Sequence, residues 1–242
     1  MVITAQDLSH HGYSYSLIHK YCLNGWLTRI GQGAYLRIND ELQWYGGVYA
    51  LQKSLNFPIH IGGLSALAEQ GLTHYMSFKE SLYLYNSTQK KVLLPRWFKK
   101  SFPLMHHYQH HLFEKKDLGL KETSIKQLPL LIASAERAIL EVIALVPYVF
   151  SYEYAYRLTE SLRLLRPELL QQLLESCRSI KIKRLFLHLA RKTRLPCESQ
   201  LDISCIDLGK GKRQIGEGGE YDSLCHLSVP SLSSSEPIIG DV

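Results

Sequence analysis

The sequence predicts an α+β protein, with an N-terminal winged helix-turn-helix followed by a mixed α/β C-terminal domain that ends in helices and short strands. Three observations carry this. Residues 12–37 read as a short helix followed at once by a tight two-stranded ribbon. From Leu72 to about Ile125 the texture is β, with alternation at Ser81–Tyr85 and, more loosely, at Leu104–Phe113. The C-terminal third reads as successive capped helices and then returns to short strands.

Taken in order, Thr4 can cap a first helix, Ala5–His11, that ends at Gly12. Ser14 opens the second, because its side-chain oxygen can accept an orphan backbone N–H. Gly25 closes it, since glycine tolerates the left-handed conformation in which helices end. Leu17, Ile18, Tyr21 and Cys22 fall on one side of this helix, and Ser16, His19, Lys20 and Leu23 on the other. Trp26–Ile30 and Ala34–Arg37 then alternate around Gly31-Gln32-Gly33 as a hairpin, with Trp26, Ile30 and Tyr35 expected to anchor it to the helices. A winged fold normally has a further helix ahead of this pair. With only Met1-Val2-Ile3 before it, that first helix is expected to be missing: either the start is truncated relative to the functional protein, or the following segment packs in its place.

Asp40 is expected to cap a longer helix, Glu41–Leu55, whose Gly46-Gly47 pair either weakens it or admits a close neighbour. Phe57–Ile61 reads as a strand and Ser65–Gln70 as a helix ended by Gly71. Lys91–Leu94 is an apolar piece of the β region, and Pro95–Lys100 a loop or single turn. Ser134 opens an amphipathic helix, Ala135–Leu145, that stops before Pro147. Ser151 caps Tyr152–Leu164, Pro167 starts a helix to Cys177, and Ile182–Lys192 forms another. The expected domains are residues 1–39 for the winged helix-turn-helix and 40–230 for the C-terminal domain, with 231–242 a disordered tail.

At 242 residues, with 45% apolar and 21% charged residues, the chain has the makeup of a globular protein that needs no staples for its core. Five scattered cysteines without a Cys-x-x-Cys pair argue for a reducing compartment and against a zinc site or disulfide framework. The polar N-terminus offers no signal peptide and no apolar run reaches membrane-spanning length, so a cytoplasmic protein with no membrane partner is expected. The formal net charge of +6 hints at an anionic partner, and its distribution says more. Residues 178–213 hold ten basic and three acidic side chains, a local +7 that leaves −1 for the rest. Beside a winged helix, such a block suggests a second phosphate-contacting surface.

The candidate reading face is the start and outer side of the second helix, Ser14, Tyr15, Ser16, His19 and Lys20, because the first turns of a recognition helix lie deepest in the major groove. On the wing, Arg29, Gln32 and Arg37 are candidates for phosphate or minor-groove contacts, with Gly31 and Gly33 allowing close approach to the backbone. The second basic surface would comprise Lys181, Lys183 and Arg184 together with Lys210, Lys212 and Arg213. The Gly209-Lys-Gly-Lys-Arg213 run lacks the order of a P-loop, so nucleotide hydrolysis is not expected. His106, His107, His110 and His111 are spaced like metal ligands but have no acidic or Cys partner nearby, so no metal or other cofactor is expected. Glu114-Lys115-Lys116 resembles the end of a nuclease motif, yet no second acidic residue stands where two would share a metal. No catalytic residue is assigned, and no enzymatic activity is expected.

The sequence resembles AbiEi-type antitoxins, the transcriptional-regulator partners of type IV toxin–antitoxin operons. The resemblance runs through His19–Arg37, Trp44–Leu72, Leu94–Lys100, Ser134–Glu141, Leu173–Ala190 and Leu201–Ile215. It implies binding of double-stranded DNA at inverted repeats in the operon's own promoter, with repression of transcription. It also implies that a nucleotidyltransferase-like toxin is counteracted without a stable antitoxin–toxin complex. From this follows a protein that is monomeric when free and cooperative on DNA. The readings set beside it are a winged-helix repressor without an antitoxin role and a nuclease with a DNA-binding head.

Overall fold

The computed structural model describes residues 1–73, 81–86, 88–109, 111–217 and 219–232. In chain order its elements are β1 (Ile3–Thr4), α1 (Ala5–His10), α2 (Tyr15–Leu23), β2 (Leu27–Gly31), β3 (Ala34–Arg37), α3 (Trp44–Tyr49), β4 (Ile59–Ile61) and α4 (Gly63–Glu69). They continue with β5 (Leu82–Asn86), α5 (Arg96–Ser101), β6 (Met105–Tyr108), β7 (Leu120–Ile125), β8 (Leu128–Ala133), α6 (Ala135–Ala144) and α7 (Tyr152–Ser161). The remainder is α8 (Pro167–Ser176), α9 (Ile180–Lys192), β9 (Arg213–Gln214), β10 (Glu220–Asp222) and β11 (Leu227–Val229). The chain is thus α+β, as its sequence predicts, and divides into two compact units. The first comprises Met1–Ile61, Phe78–His111 and Leu120–Ile132; the second comprises Gly62–Ser77, Leu112–Gly119 and Ala133–Val242.

In the first unit, α1 and α2 form the helix-turn-helix. Thr4 and Asp7 make a reciprocal capping box: Asp7 N–H donates to Thr4 Oγ1 at 3.0 Å and Thr4 N–H to the Asp7 carboxylate at 3.1 Å. Ser14 Oγ accepts the Leu17 N–H at 3.3 Å, and Gly12 and Gly25 take φ of +83° and +74° at the two helix ends. β2 and β3 pair antiparallel, and β1 adds to the free side of β3 through Ile3↔Tyr35 and Thr4↔Ala34. Ile18, Leu27 and Tyr35 form the buried cluster, with Ala5, Leu8, Tyr21 and Cys22 packed on it.

Support for this small unit comes from segments that follow it. The backbone of Met1-Val2 lies 3.5 Å from where a Cβ on Gly46 would sit, and α5 lies against β2. The Gly46-Gly47 pair therefore serves close approach: a Cβ on Gly47 would stand 2.8 Å from the ring of Phe102 and 2.9 Å from that of Phe98. The helix expected at Glu41–Leu55 starts later, at Trp44, and widens into a π-helical turn over Ala50–Ser54. Asp40 does not cap it: the cap position falls at Gln43, and the Asp40 carboxylate lies 2.9 Å from the Met1 amino group.

A five-stranded sheet, in the order β6-β5-β4-β8-β7, completes the unit. β4 pairs antiparallel with β5 and parallel with β8, and β5 pairs parallel with β6. Lys126 and Gln127, both at positive φ, join β7 to β8 as a two-residue hairpin turn requires. The structure departs from the sequence expectation here in two places. Pro95–Lys100 is not a loop but holds α5, whose Trp97 and Phe98 are buried. Lys91–Leu94 forms no strand; there the side-chain amide of Gln109 acts as the missing ladder partner, bonding both the N–H and the carbonyl of Val92.

The second unit is mainly helical. α6 lies at its centre, packed against α4, α8, α9 and α7. Its ionised side chains are buried but paired: Arg137 Nε meets Glu141 at 2.9 Å, and Arg137 Nη1 donates to the carbonyls of Lys116 and Leu118 at 2.8 and 2.7 Å. α9 starts at Ile180, two residues before its expected start, with Ser179 as the cap. A three-stranded sheet, β10-β11-β9, is carried against it.

Candidate nucleic-acid interface

The first unit leaves the candidate reading face open to solvent. Ser14, Tyr15, Ser16, His19 and Lys20 are all exposed, Tyr15 at 75%, whereas Ile18 on the opposite side of α2 is buried at 2%. The separation follows from helical periodicity: one turn of apolar side chains faces Leu27 and Tyr35, and everything between points outward. Ser14 holds the first turn through its cap and also lies 3.0 Å from the Ser16 hydroxyl, so the two groups are ordered together at the helix start.

On the wing, Arg29, Gln32 and Arg37 are exposed. Leu27 pairs with Arg37 and Arg29 with Tyr35, so all four side chains lie on the ribbon face where Leu27 and Tyr35 meet α2. The wing's two arginines therefore emerge on the helix side of the ribbon. A register shift between Arg29 and Gly31 bends the strand, and Arg29 Nε donates to the Gly31 carbonyl at 3.3 Å.

One expectation for the wing is corrected, and Gly31 gains a second reason to be glycine. Gly31 is kept small by the interior, because a Cβ there would lie 2.4 Å from that of Trp97. Trp26 does not anchor the ribbon but is 65% exposed, with Leu23 and Ile38 also open at 73% and 55%. Its main chain does the anchoring, donating to the Tyr21 carbonyl at 2.9 Å and accepting from Ile38 N–H at 3.0 Å.

The second basic group is divided by the structure. Lys181 Nζ donates to the carbonyls of Ala144 and Val146 at the end of α6, at 3.0 and 2.5 Å, and burial pushes its pKa down. Lys183 is 4% exposed and Arg184 is fully buried, its guanidinium donating to four backbone carbonyls. These three are thus not a surface: amphipathic α9 turns them inward, where Lys181 and Arg184 satisfy carbonyls left by the helix end and the loops around it. Lys210, Lys212 and Arg213 are exposed, and Lys212 Nζ lies 5.1 Å from the centre of the Tyr221 ring.

Of the four histidines, His110 lies outside the described residues. His106 and His107 are neighbours on β6 and so project to opposite faces, His106 stacking on Tyr83 at 4.9 Å between ring centres. Among the described residues no three His, Cys, Asp or Glu side chains converge as a metal site.

One polar cluster has no signature in the sequence. Tyr152 on α7, His188 on α9 and Asp222 on β10 form a chain, with 2.7 Å from the Tyr152 hydroxyl to His188 Nε2 and 2.7 Å from His188 Nδ1 to Asp222. Burial raises the Asp222 carboxyl, but hydrogen bonds from His188 and from the Cys225 N–H outweigh this and hold it low. No local spacing could have revealed three residues from separate elements. The cluster ties the C-terminal sheet to α9, joined by Lys192 and Glu220 at 2.6 Å.

A helix-turn-helix with an open second helix and a basic wing, joined to a mixed α/β unit, defines the class of winged-helix transcriptional regulators. A family model described as the transcriptional regulator, AbiEi antitoxin N-terminal domain, matches residues 1–78; one described as transcriptional regulator, AbiEi antitoxin, type IV TA system, matches residues 79–230. The chain belongs to the AbiEi antitoxin family of transcriptional regulators in type IV toxin–antitoxin systems. A search of curated proteins gave no match. The crystal structure of the RV2827C protein from Mycobacterium tuberculosis is similar in fold, with a TM-score of 0.67 at 14% identity over 95% of this chain and 86% of that one. Among the described residues no helix is long and apolar enough to cross a membrane.

Proposed function

We propose that this protein binds inverted repeats in its own promoter through the winged helix, represses the operon, and counteracts a nucleotidyltransferase-like toxin without forming a stable complex with it. The family supplies the coarser part: a transcriptional regulator works on DNA, and a toxin–antitoxin system has a toxin. The observation that supports the finer reading is the α2 surface. Five polar residues, Ser14, Tyr15, Ser16, His19 and Lys20, stand exposed around a buried Ile18, and Arg29 and Arg37 emerge on the helix side of the wing. In this reading, α2 enters the major groove, Ser14, Ser16 and His19 meet base edges, and Lys20, Arg29, Gln32 and Arg37 hold phosphates. The protein is a monomer when free, and two copies assist each other on the repeat. It has no catalytic role.

The test is a titration of the full chain onto its own upstream DNA and onto a scrambled duplex at physiological salt. A preference of roughly 10³-fold or more for the upstream DNA is the specificity expected of a dedicated regulator. Equal affinity for the two duplexes would refute operator reading.

A further inference from the structure

Arg184 shapes a loop at the start of the C-terminal sheet. Its Nε donates to the carbonyl of Leu208 at 2.7 Å, Nη2 to Gly209 at 3.1 Å, and Nη1 to Gly211 at 2.6 Å and to His226 at 3.1 Å. In a trans peptide the N–H points opposite to the C=O, and among the described residues the cis bond is Val146–Pro147. Each carbonyl drawn inward to the guanidinium therefore turns the next N–H away from it. In this loop those are the N–H groups of Gly209, Lys210 and Lys212. Gly209 donates to Asp207 Oδ1 at 2.8 Å; among the described residues, the N–H groups of Lys210 and Lys212 have no acceptor. Gly209 and Gly211, at φ of +63° and +76°, make this succession of peptide orientations accessible.

The outward side of the loop is cationic. Lys210, Gly211, Lys212 and Arg213 are all exposed, and Asp207, already bound to Gly209, is the one acidic side chain from 207 to 216. Two N–H groups without an acceptor, beside three exposed cationic side chains, are the kind of donors that hold phosphate. Because all four residues are open, the loop suits an extended polyanion that passes over it rather than an enclosed small molecule.

We infer that Leu208–Arg213 is a phosphate-binding loop that takes a backbone phosphate of DNA, with the N–H groups of Lys210 and Lys212 and the side chains of Lys210, Lys212 and Arg213 as donors. The DNA occupant rests on the function proposed above; the phosphate chemistry does not.

The experiment has two arms on the full chain. In the first, the ¹⁵N-labelled protein is titrated with inorganic phosphate. Saturable downfield shifts of the Lys210 and Lys212 amides are expected. Gly211→Ala, which leaves the charge unchanged and meets nothing within 4 Å at the new Cβ, should weaken them about fivefold by disfavouring positive φ. In the second, Lys210→Ala/Lys212→Ala should lower the slope of log K against log salt on promoter DNA by about one unit for each phosphate no longer neutralised. No amide response to phosphate overturns the loop. A phosphate response with an unchanged DNA slope overturns the DNA occupant. If the wild-type chain binds no promoter DNA, the function proposed above fails and takes the DNA occupant with it, while the amide arm still decides the loop.

Discussion

Glu136 shows how a single buried charge is made tolerable in this protein. Its carboxylate is 3% exposed and accepts from the backbone N–H of Arg166 at 2.9 Å, from Nε at 3.0 Å and from Nη2 at 3.0 Å. Burial alone would raise its pKa, but the Arg166 hydrogen bonds outweigh that and hold it at about 2. Because the folded value lies below the ordinary 4.5, the carboxylate contributes stability that is full above about pH 4.5 and is lost as the pH falls toward 2. Glu136→Gln should therefore destabilise the protein at pH 7 by roughly 1–3 kcal/mol, the lower end reflecting how open Arg166 is to solvent. The difference from wild type should shrink steadily in acid. Denaturant melts at pH 7, 4 and 3 check this, and a gap that stays constant would contradict the linkage. The partner of Glu136, thirty positions away, depends on how α6 meets the turn before α8, which no local spacing shows.

At the scale of elements, the local signals were strong where caps and periodicity act within a few residues. Thr4, Ser14, Ser134 and Ser151 each cap the helix assigned to them, since a side-chain oxygen needs only the next turn to find its N–H. Asp40 does not fill that role because α3 starts at Trp44, with Gln43 at the cap position, and Asp40 pairs with the Met1 amino group. Pro95–Lys100 reads as a loop or single turn because a six-residue helix has almost no period to display; α5 forms there because Trp97 and Phe98 find glycines to pack against. That packing gives a prediction. Gly31→Ala would force a Cβ to within 2.4 Å of Trp97, so the wing or α5 must move, at a cost of about 1–3 kcal/mol. Thermal unfolding followed by circular dichroism should show a lowered Tm. A Tm equal to wild type would mean that α5 does not support the wing this way.

For the molecule as a whole, the two tasks of regulation and antitoxin action need not share residues. Lys20→Ala/Arg29→Ala removes two exposed cations from the first unit without touching its buried cluster. It should weaken promoter binding and lower the salt slope by about one unit for each phosphate left without its cation. Growth rescue against the toxin should persist, and its loss in a folded variant would show that this exposed surface also serves neutralisation. Charge illustrates how far sequence reaches at this scale. The block at residues 178–213 was visible as a count, but a count cannot separate Arg184, wrapped in carbonyls, from Lys210, standing open. By itself the sequence determined the α+β class, the helix-turn-helix with its ribbon, the outward side of α2 and the family, because these rest on short-range periodicity, caps and ordered motifs. Only the tertiary structure decided which basic residues face solvent, what supports the wing, and that Arg184 draws the carbonyls of Leu208, Gly209 and Gly211 inward. Those outcomes depend on which distant groups compete for each donor and each cavity, and no local pattern encodes that competition.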